Sequence, residues 1–222
     1  MTESKRPERM ADFFDTRADG YDEHMKVNVE SFDAFYAAVA DAVPETDKPI
    51  ELLDLGVGTG LELPAVLERT PNARITGIDV SSEMLSRLRT RLADRPDQVR
   101  VLQASFLDTE FGDSAYSVIL STMALHHWPS SVKGTLYRRI FAALRLGGRF
   151  VNGDYILADG EQDPLPTFPG AVAGGSEDLV HVDMPLPIDV EVRLLREAGF
   201  SSVRIPFRTA RSAVFVAERV AS

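Results

Sequence analysis

Apolar positions along the chain follow two different periodicities. Over residues 28–43 they recur at spacings of three and four, which predicts an amphipathic helix. A further helix is predicted before it, over residues 10–24. Five short apolar runs predict strands instead, and the first of them is predicted to be buried. These runs lie at residues 50–55, 73–79, 99–103, 116–121 and 148–156.

Helical stretches are expected between these strands. They cover residues 61–69, 81–93 and 131–146, and the pair Gly147 and Gly148 is interpreted as the end of the third helix. Ser81 or Ser82 is the expected N-cap of the second helix. A helix at 188–198 and a strand pair at 200–207 and 212–218 complete the prediction. Alternating strands and helices indicate α/β units around a parallel sheet.

The length of 222 residues predicts one α/β domain with appendages. Residues 1–48 are interpreted as an N-terminal helical cap or lid, and residues 49–222 as the main domain. Within the latter, residues 158–187 are rich in glycine and proline and lack periodicity, so we expect a loop-rich insertion above the site.

Composition narrows the class of protein. The formal net charge is −10 and no basic stripe is present, which disfavours nucleic acid as a partner. The chain has no cysteine, so disulfides and thiolate chemistry are excluded. No apolar run is long enough for a membrane span, and the first residues lack the apolar core of a secretory signal. A cytoplasmic location is the resulting prediction.

The strongest local signal is a glycine-rich turn between a strand and a helix. Gly56, Gly58 and Gly60 follow the apolar run that contains Asp54. Glycine permits a positive φ and a close approach of a ligand, and the helix that follows presents free N–H groups. Asp79 ends the next strand, where a carboxylate can bind a ribose diol. The alternatives are a tight turn without a ligand and, for Asp79, a helix N-cap.

Four segments carry a resemblance to a known family. The segments are LLDLGVGTGLE at 52–62, GIDVSSEML at 77–85, LHHW at 125–128 and LRLGGRFV at 144–151. Together they resemble the class I methyltransferases that use S-adenosylmethionine (SAM). The resemblance implies an α/β, Rossmann-like sheet of seven strands, six parallel and the last antiparallel, flanked by helices. It also implies SAM as cofactor and transfer of its methyl group to an O, N or C atom of a small molecule.

The same resemblance assigns roles to individual residues. Asp54, Gly56, Gly58 and Gly60 would flank the methionine part of SAM, and Asp79 would bind the ribose hydroxyls. Further cofactor contacts are implied for Tyr21, Val80, Met84, Ser105, Phe106, Ser121 and Met123. Ser105 departs from the family, since many members have an acidic residue there.

Candidates for a catalytic base follow the fourth and fifth strands. His126 and His127 come directly after the fourth strand, and Asp154 ends the fifth. Neighbouring residues at a strand end point in different directions, so we expect at most one of the two histidines to face the pocket. His181 and Asp183 are weaker candidates in the irregular segment. No third metal ligand stands at a recognisable spacing, so no metal is expected.

Other functional classes stay open. A protein with this fold can bind SAM without methylating, as a regulator or partner subunit. An oxidoreductase using NAD(P) is disfavoured because Leu61 stands where the dinucleotide motif needs glycine. The substrate and the oligomeric state do not follow from the sequence, and a homodimer is one option.

Overall fold

A seven-stranded sheet forms the centre of the protein, in a computed structural model that describes residues 8–158, 161 and 180–220. Its strand order is β3-β2-β1-β4-β5-β7-β6. The strands are β1 Glu51–Leu55, β2 Arg74–Asp79, β3 Val99–Gln103, β4 Tyr116–Thr122, β5 Leu144–Tyr155, β6 Ser202–Arg208 and β7 Ser212–Glu218.

Six of these strands are parallel, as predicted. The first five pair in parallel. The strand β7 is antiparallel to both of its neighbours, β5 and β6, so β6 runs in the same direction as the first five. The order reverses between β1 and β4, which opens a crevice at their carboxyl ends. In open α/β sheets this is where ligands bind.

Helices cover both faces of the sheet. They are α1 Met10–Asp15, α2 Tyr21–Asn28, α3 Phe32–Ala42, α4 Leu63–Arg69, α5 Ser82–Arg91, α6 Ser130–Ala143 and α7 Ile188–Glu197. Short 3-10 turns lie at Ala18–Gly20 and Leu125–His127. Two apolar clusters fill the space between the helices and the two faces of the sheet. Among the described residues, no helix has both the length and the apolar character to cross a bilayer.

Two of the predicted elements need correction. The helix predicted over 10–24 is broken at residues 16–20, where the 3-10 turn intervenes. The helix predicted to end at Gly147 and Gly148 ends at Ala143 instead, and both glycines lie within β5. The pairing register between β4 and β5 shifts there, and a Cβ on Gly148 would lie 2.8 Å from the carbonyl oxygen of Arg145. The glycine pair therefore allows the irregular backbone within β5 and does not cap a helix.

The predicted insertion at 158–187 is described only in part. Residues 159–160 and 162–179 lie outside the described residues. The remaining stretch, 180–187, runs along the carboxyl edge of the sheet. Val180 bridges to Arg9 and Leu186 bridges to Ile156, which ties this stretch to both the N-terminal segment and the end of β5.

Candidate active site

The glycine turn after β1 uses positive φ at all three predicted glycines, but for different reasons. The φ angles are 73° at Gly56, 51° at Gly58 and 68° at Gly60. A Cβ on Gly56 would lie 2.5 Å from the Ala124 side chain, and one on Gly60 would lie 2.4 Å from Leu88. These two glycines allow close packing. A Cβ on Gly58 would meet only a backbone oxygen, at 4.0 Å, so Gly58 presents open backbone to the crevice.

Asp79 at the end of β2 joins this turn to the start of α5. Its Oδ2 accepts from the Gly58 N–H at 2.9 Å, and its Oδ1 accepts from the Ser81 N–H at 2.8 Å. Burial raises the pKa of Asp79 to about 6, against the backbone hydrogen bonds that lower it. The N-cap of α5 is Ser81, whose Oγ accepts from the Met84 N–H at 3.1 Å. Asp79 is therefore not the side chain that caps this helix, and each of its oxygens keeps capacity for a further donor.

Two buried carboxyl groups lie beside the turn. Asp54 and Glu62 are adjacent to each other, and burial is the main reason that the pKa of each is raised, that of Glu62 to about 7. Within the described part of the chain, no donor meets either Asp54 oxygen or Oε1 of Glu62. A buried acid pair whose members contact each other but meet no other donor fits an ammonium group, such as the one on the methionine part of SAM. The sequence analysis missed Glu62, although it stands only two residues after Gly60.

The N-terminal segment closes over the turn through acidic side chains. Asp15 accepts from the Ser81 hydroxyl at 2.6 Å and from the Glu83 N–H at 3.2 Å. Asp22 accepts from the Thr59 hydroxyl at 2.7 Å and forms an ion pair with Arg91. The N-terminal segment is thus fastened to the same loop and helix that would hold the cofactor.

A small cavity of about 50 Å³ lies at the crevice under this segment. Seven of the predicted cofactor residues line it: Tyr21, Gly56, Gly58, Asp79, Val80, Met84 and Met123. The others do not reach its wall. Pockets for ligands usually measure roughly 300–1,000 Å³, and this cavity is smaller than that range.

Three of the predicted residues outside the wall have contacts within the protein. The Ser121 hydroxyl donates to the Leu55 carbonyl at 2.8 Å inside the sheet. Ser105 Oγ accepts from the Leu107 N–H at 3.2 Å. Phe106 is buried with its ring edge-on to Trp128 at 6.1 Å between centroids. Their predicted contacts with the cofactor remain predictions.

His126 and His127 both face a second cavity, which corrects the expectation that at most one would. After β4 ends at Thr122, residues Leu125–His127 form a 3-10 turn, so the alternation of a strand does not apply to them. The two rings lie 4.0 Å apart between centroids. The cavity measures about 490 Å³ and adjoins the first one through Phe14, Tyr21, Met123 and His127.

Asp154 binds one of the two ring nitrogens of His126. The Nδ1 atom of His126 donates to Asp154 Oδ1 at 2.5 Å, and both side chains are buried. The opposite atom, Nε2, points toward Asp183 Oδ1 at 3.5 Å. This arrangement assigns the Nδ1 proton and leaves Nε2 at the cavity wall.

The two histidines differ in charge. Burial disfavours the imidazolium of His126, but the carboxylates of Asp154 and Asp183 outweigh it and raise the pKa to about 9. Burial and the charge of His126 lower the pKa of His127 to about 4. His126 is the stronger proton acceptor of the pair once it is deprotonated, whereas His127 is neutral at physiological pH.

Asp183 also brings a possible third ligand to the histidines, at a spacing that the sequence did not reveal. Donor atoms of His126, His127 and Asp183 all lie within 4.8 Å of one another, a set that can hold a divalent ion. We still expect no metal requirement, because His126 is already ion-paired and its Nε2 can act alone as a base.

We expect methyl transfer to survive removal of metal ions. After chelation with EDTA and dialysis, turnover should stay within about twofold of that of untreated protein, because a base needs no bound ion. Turnover and metal content by plasma mass spectrometry would be measured together. A loss of turnover that one divalent ion restores would show that the cluster is a metal site.

Comparison with known proteins agrees with this fold. Residues 52–148 match the family described as "Methyltransferase domain". An uncharacterized methyltransferase from Geobacillus thermodenitrificans is 27% identical over 96% of this chain and 94% of its own length. Erythromycin 3''-O-methyltransferase from Saccharopolyspora erythraea is 29% identical, over 76% of this chain and 55% of that protein.

A solved structure shows the same fold. Human N-acetylserotonin methyltransferase in complex with SAM superposes with a TM-score of 0.64 at 18% identity, covering 89% of this chain and 55% of that one. The chain thus spans little more than half the length of this protein and of the erythromycin enzyme.

The sheet and the matched domain are those of an enzyme that uses SAM. More specifically, residues 52–148 match the methyltransferase domain, and the chain is similar over nearly its whole length to methyltransferases. Its cofactor is SAM.

Proposed function

We propose that this enzyme transfers the methyl group of SAM to a hydroxyl oxygen of a small molecule, with His126 as general base. The observation that carries the proposal is the geometry of His126, whose Nδ1 is held by Asp154 at 2.5 Å while Nε2 lies at the wall of the 490 Å³ cavity. That cavity adjoins the crevice of the glycine turn. The relatives named above include an enzyme whose name describes O-methylation.

The cavity wall suits an acceptor with an apolar body and several polar groups. Aromatic and sulfur-containing side chains form one part of it: Phe13, Phe14, Tyr21, Met25, Met123 and Tyr155. Charged and imidazole side chains form most of the rest: Arg17, His24, His126, His127, His181 and Asp183. Such a wall favours a molecule whose hydrophobic body carries polar groups.

The chemistry asked of the protein is positioning and proton removal. Bound SAM supplies a methyl group on a sulfonium, and the electron pair of the broken C–S bond stays with sulfur. His126 Nε2 accepts the hydroxyl proton as the O–CH₃ bond forms, and the buried carboxylate of Asp154 stabilises the resulting imidazolium. Asp154 acts as a positioning residue, since it reaches the substrate only through His126.

We propose that the N-terminal cap, residues 1–48, is a lid over both cavities. Support comes from Phe14 and Tyr21, which line both cavities, and from the contacts of Asp15 and Asp22 with the cofactor loop and α5. The stretch 180–187 of the predicted insertion contributes His181 and Asp183 to the substrate cavity. Lids of this kind exclude water from the reaction. A cytoplasmic location and a homodimer stay predictions.

The proposal is tested by following the methyl group. With SAM labelled in its methyl group and a set of aromatic and alicyclic alcohols, we expect label on oxygen together with one equivalent of S-adenosylhomocysteine. Calorimetry with SAM and with NADH should show binding of SAM alone. SAM binding without acceptor-dependent release of S-adenosylhomocysteine would favour the alternative of a non-methylating binding protein, and label on nitrogen or carbon only would contradict the hydroxyl acceptor.

A further inference from the structure

Asp183 places a second proton acceptor beside His126 on the wall of the substrate cavity. Its Oδ1 lies 3.5 Å from His126 Nε2 and 3.1 Å from His127 Nδ1. The side chain is 59% exposed and faces the cavity, so a substrate can reach it. The backbone holds it in place, because the Met184 N–H donates to the His126 carbonyl at 2.6 Å.

A single hydroxyl acceptor needs only one of these two groups. Methyl transfer to an isolated hydroxyl uses His126 Nε2 and would leave the carboxylate of Asp183 without a donor from the substrate. Asp183 is the only carboxylate among the described residues that line the cavity, and its exposed side chain favours a ligand that supplies a second donor. The separation of 3.5 Å is short enough for two hydroxyls on neighbouring carbon atoms to meet one group each.

We propose, resting on the function proposed above, that the acceptor is an apolar or aromatic molecule carrying two vicinal hydroxyls. One hydroxyl gives its proton to His126 Nε2 and receives the methyl group. Its neighbour donates a hydrogen bond to Asp183 and thereby selects which oxygen faces the cofactor. Asp183 is a specificity-determining residue in this arrangement.

The charge state of Asp183 supports this role. Hydrogen bonds with His126 and His127 keep the pKa of Asp183 below its usual range. The carboxylate is therefore an acceptor throughout the working pH range, and a hydroxyl that replaces the contact with His126 meets a charged partner.

The test compares matched probes that differ by one hydroxyl. The aromatic pair is 3',4'-dihydroxyflavone and 4'-hydroxyflavone, and the alicyclic pair is cis-4-phenylcyclohexane-1,2-diol and 4-phenylcyclohexanol. Binding is measured by calorimetry to the complex with S-adenosylhomocysteine, in EDTA. For at least one pair we expect the diol to bind about tenfold more tightly, the value of one charge-assisted hydrogen bond. Whichever pair shows this preference identifies the phenolic or the alicyclic source of the diol.

The variant Asp183→Asn should lower the affinity of the preferred diol about tenfold and that of its monohydroxyl partner by less than threefold. Equal affinity of diol and monohydroxyl probes in both pairs, absence of diol binding, or a preference that requires an added divalent ion would each overturn the inference. An equal loss for both probes in Asp183→Asn would do the same.

The proposed base is judged separately. Methyl transfer by His126→Gln at the wild-type rate would contradict the role of His126 while leaving the diol preference intact. Loss of turnover in His126→Gln without any diol preference in the wild type would retain the base and reject the diol.

Discussion

The substitution His126→Gln should lower kcat by roughly 10²–10⁴-fold, the usual contribution of a general base. Glutamine fills a similar space and can still bond to Asp154, but it cannot accept the hydroxyl proton. The affinity for SAM should stay within a few fold, because His126 lines the substrate cavity and not the cofactor cavity. Single-turnover kinetics and calorimetry on the same preparation measure both quantities.

The pH profile provides a second readout for His126. Only the deprotonated imidazole is a base, and the pKa of His126 is raised to about 9, so kcat/KM for the acceptor should rise with pH up to about 9. The charged and titratable groups around the ring are Asp154, Tyr155, His127, His181 and Asp183. Asp154→Asn and Asp183→Asn each remove a facing carboxylate, so each should shift the profile to lower pH.

His127→Gln is the matched control for this prediction. His127 neighbours His126 on the same turn, but its pKa is lowered to about 4. It should therefore not cause the rise of kcat/KM at alkaline pH. A wild-type pH profile in His126→Gln would show that His126 is not the base. Loss of the rise in kcat/KM in His127→Gln would assign the base to His127 instead.

Asp79→Ala should weaken SAM binding by roughly ten- to several hundred-fold. A charged acceptor contributes about 1.5–3 kcal/mol per hydrogen bond, and each 1.4 kcal/mol is about tenfold in affinity. The carboxylate also orders the turn through the Gly58 N–H at 2.9 Å, so its loss loosens the cofactor loop. Asp79→Asn keeps the shape and one acceptor, so its affinity for SAM should lie between those of the wild type and Asp79→Ala.

Stability has to be measured on the same Asp79 variants. Because Asp79 accepts two backbone hydrogen bonds, Asp79→Ala should also lower the free energy of unfolding by about 1–3 kcal/mol. The control is Thr70→Val, which removes a buried hydrogen bond to the Val66 carbonyl away from the site. It should cost about 1 kcal/mol and leave SAM affinity unchanged. Wild-type affinity in Asp79→Ala with a lowered unfolding midpoint would show that Asp79 is structural.

The order of strands and helices could be predicted because it depends on local patterns. Apolar runs such as residues 52–55 form strands whatever packs on them, and the prediction of a buried strand over 50–55 matches β1. The glycine turn and Asp79 were also readable, since the backbone geometry of such a turn needs glycine at fixed positions. The resemblance added the antiparallel β7, which the alternation of elements alone does not specify.

Predictions failed where neighbouring elements decide a local conformation. The glycine pair at 147–148 resembles a helix end, but pairing of Leu144 with Tyr116 extends β5 back over those residues. The pair at 126–127 was read as a strand end, but a 3-10 turn directs both rings into one cavity. In each case a contact distant in the sequence outweighs a weak local preference.

The sequence by itself determined the fold, the glycine turn and the acidic residue after β2. Only the tertiary structure decided which side chains meet at the site. His126, Asp154 and Asp183 are far apart along the chain and meet because β4, β5 and the stretch 180–187 end at one edge of the sheet. Asp54 and Glu62 become a coupled acid pair with raised pKa values only when the fold buries them side by side. Proton affinity and ligand choice depend on such distances and on burial, and neither is encoded in residue spacing.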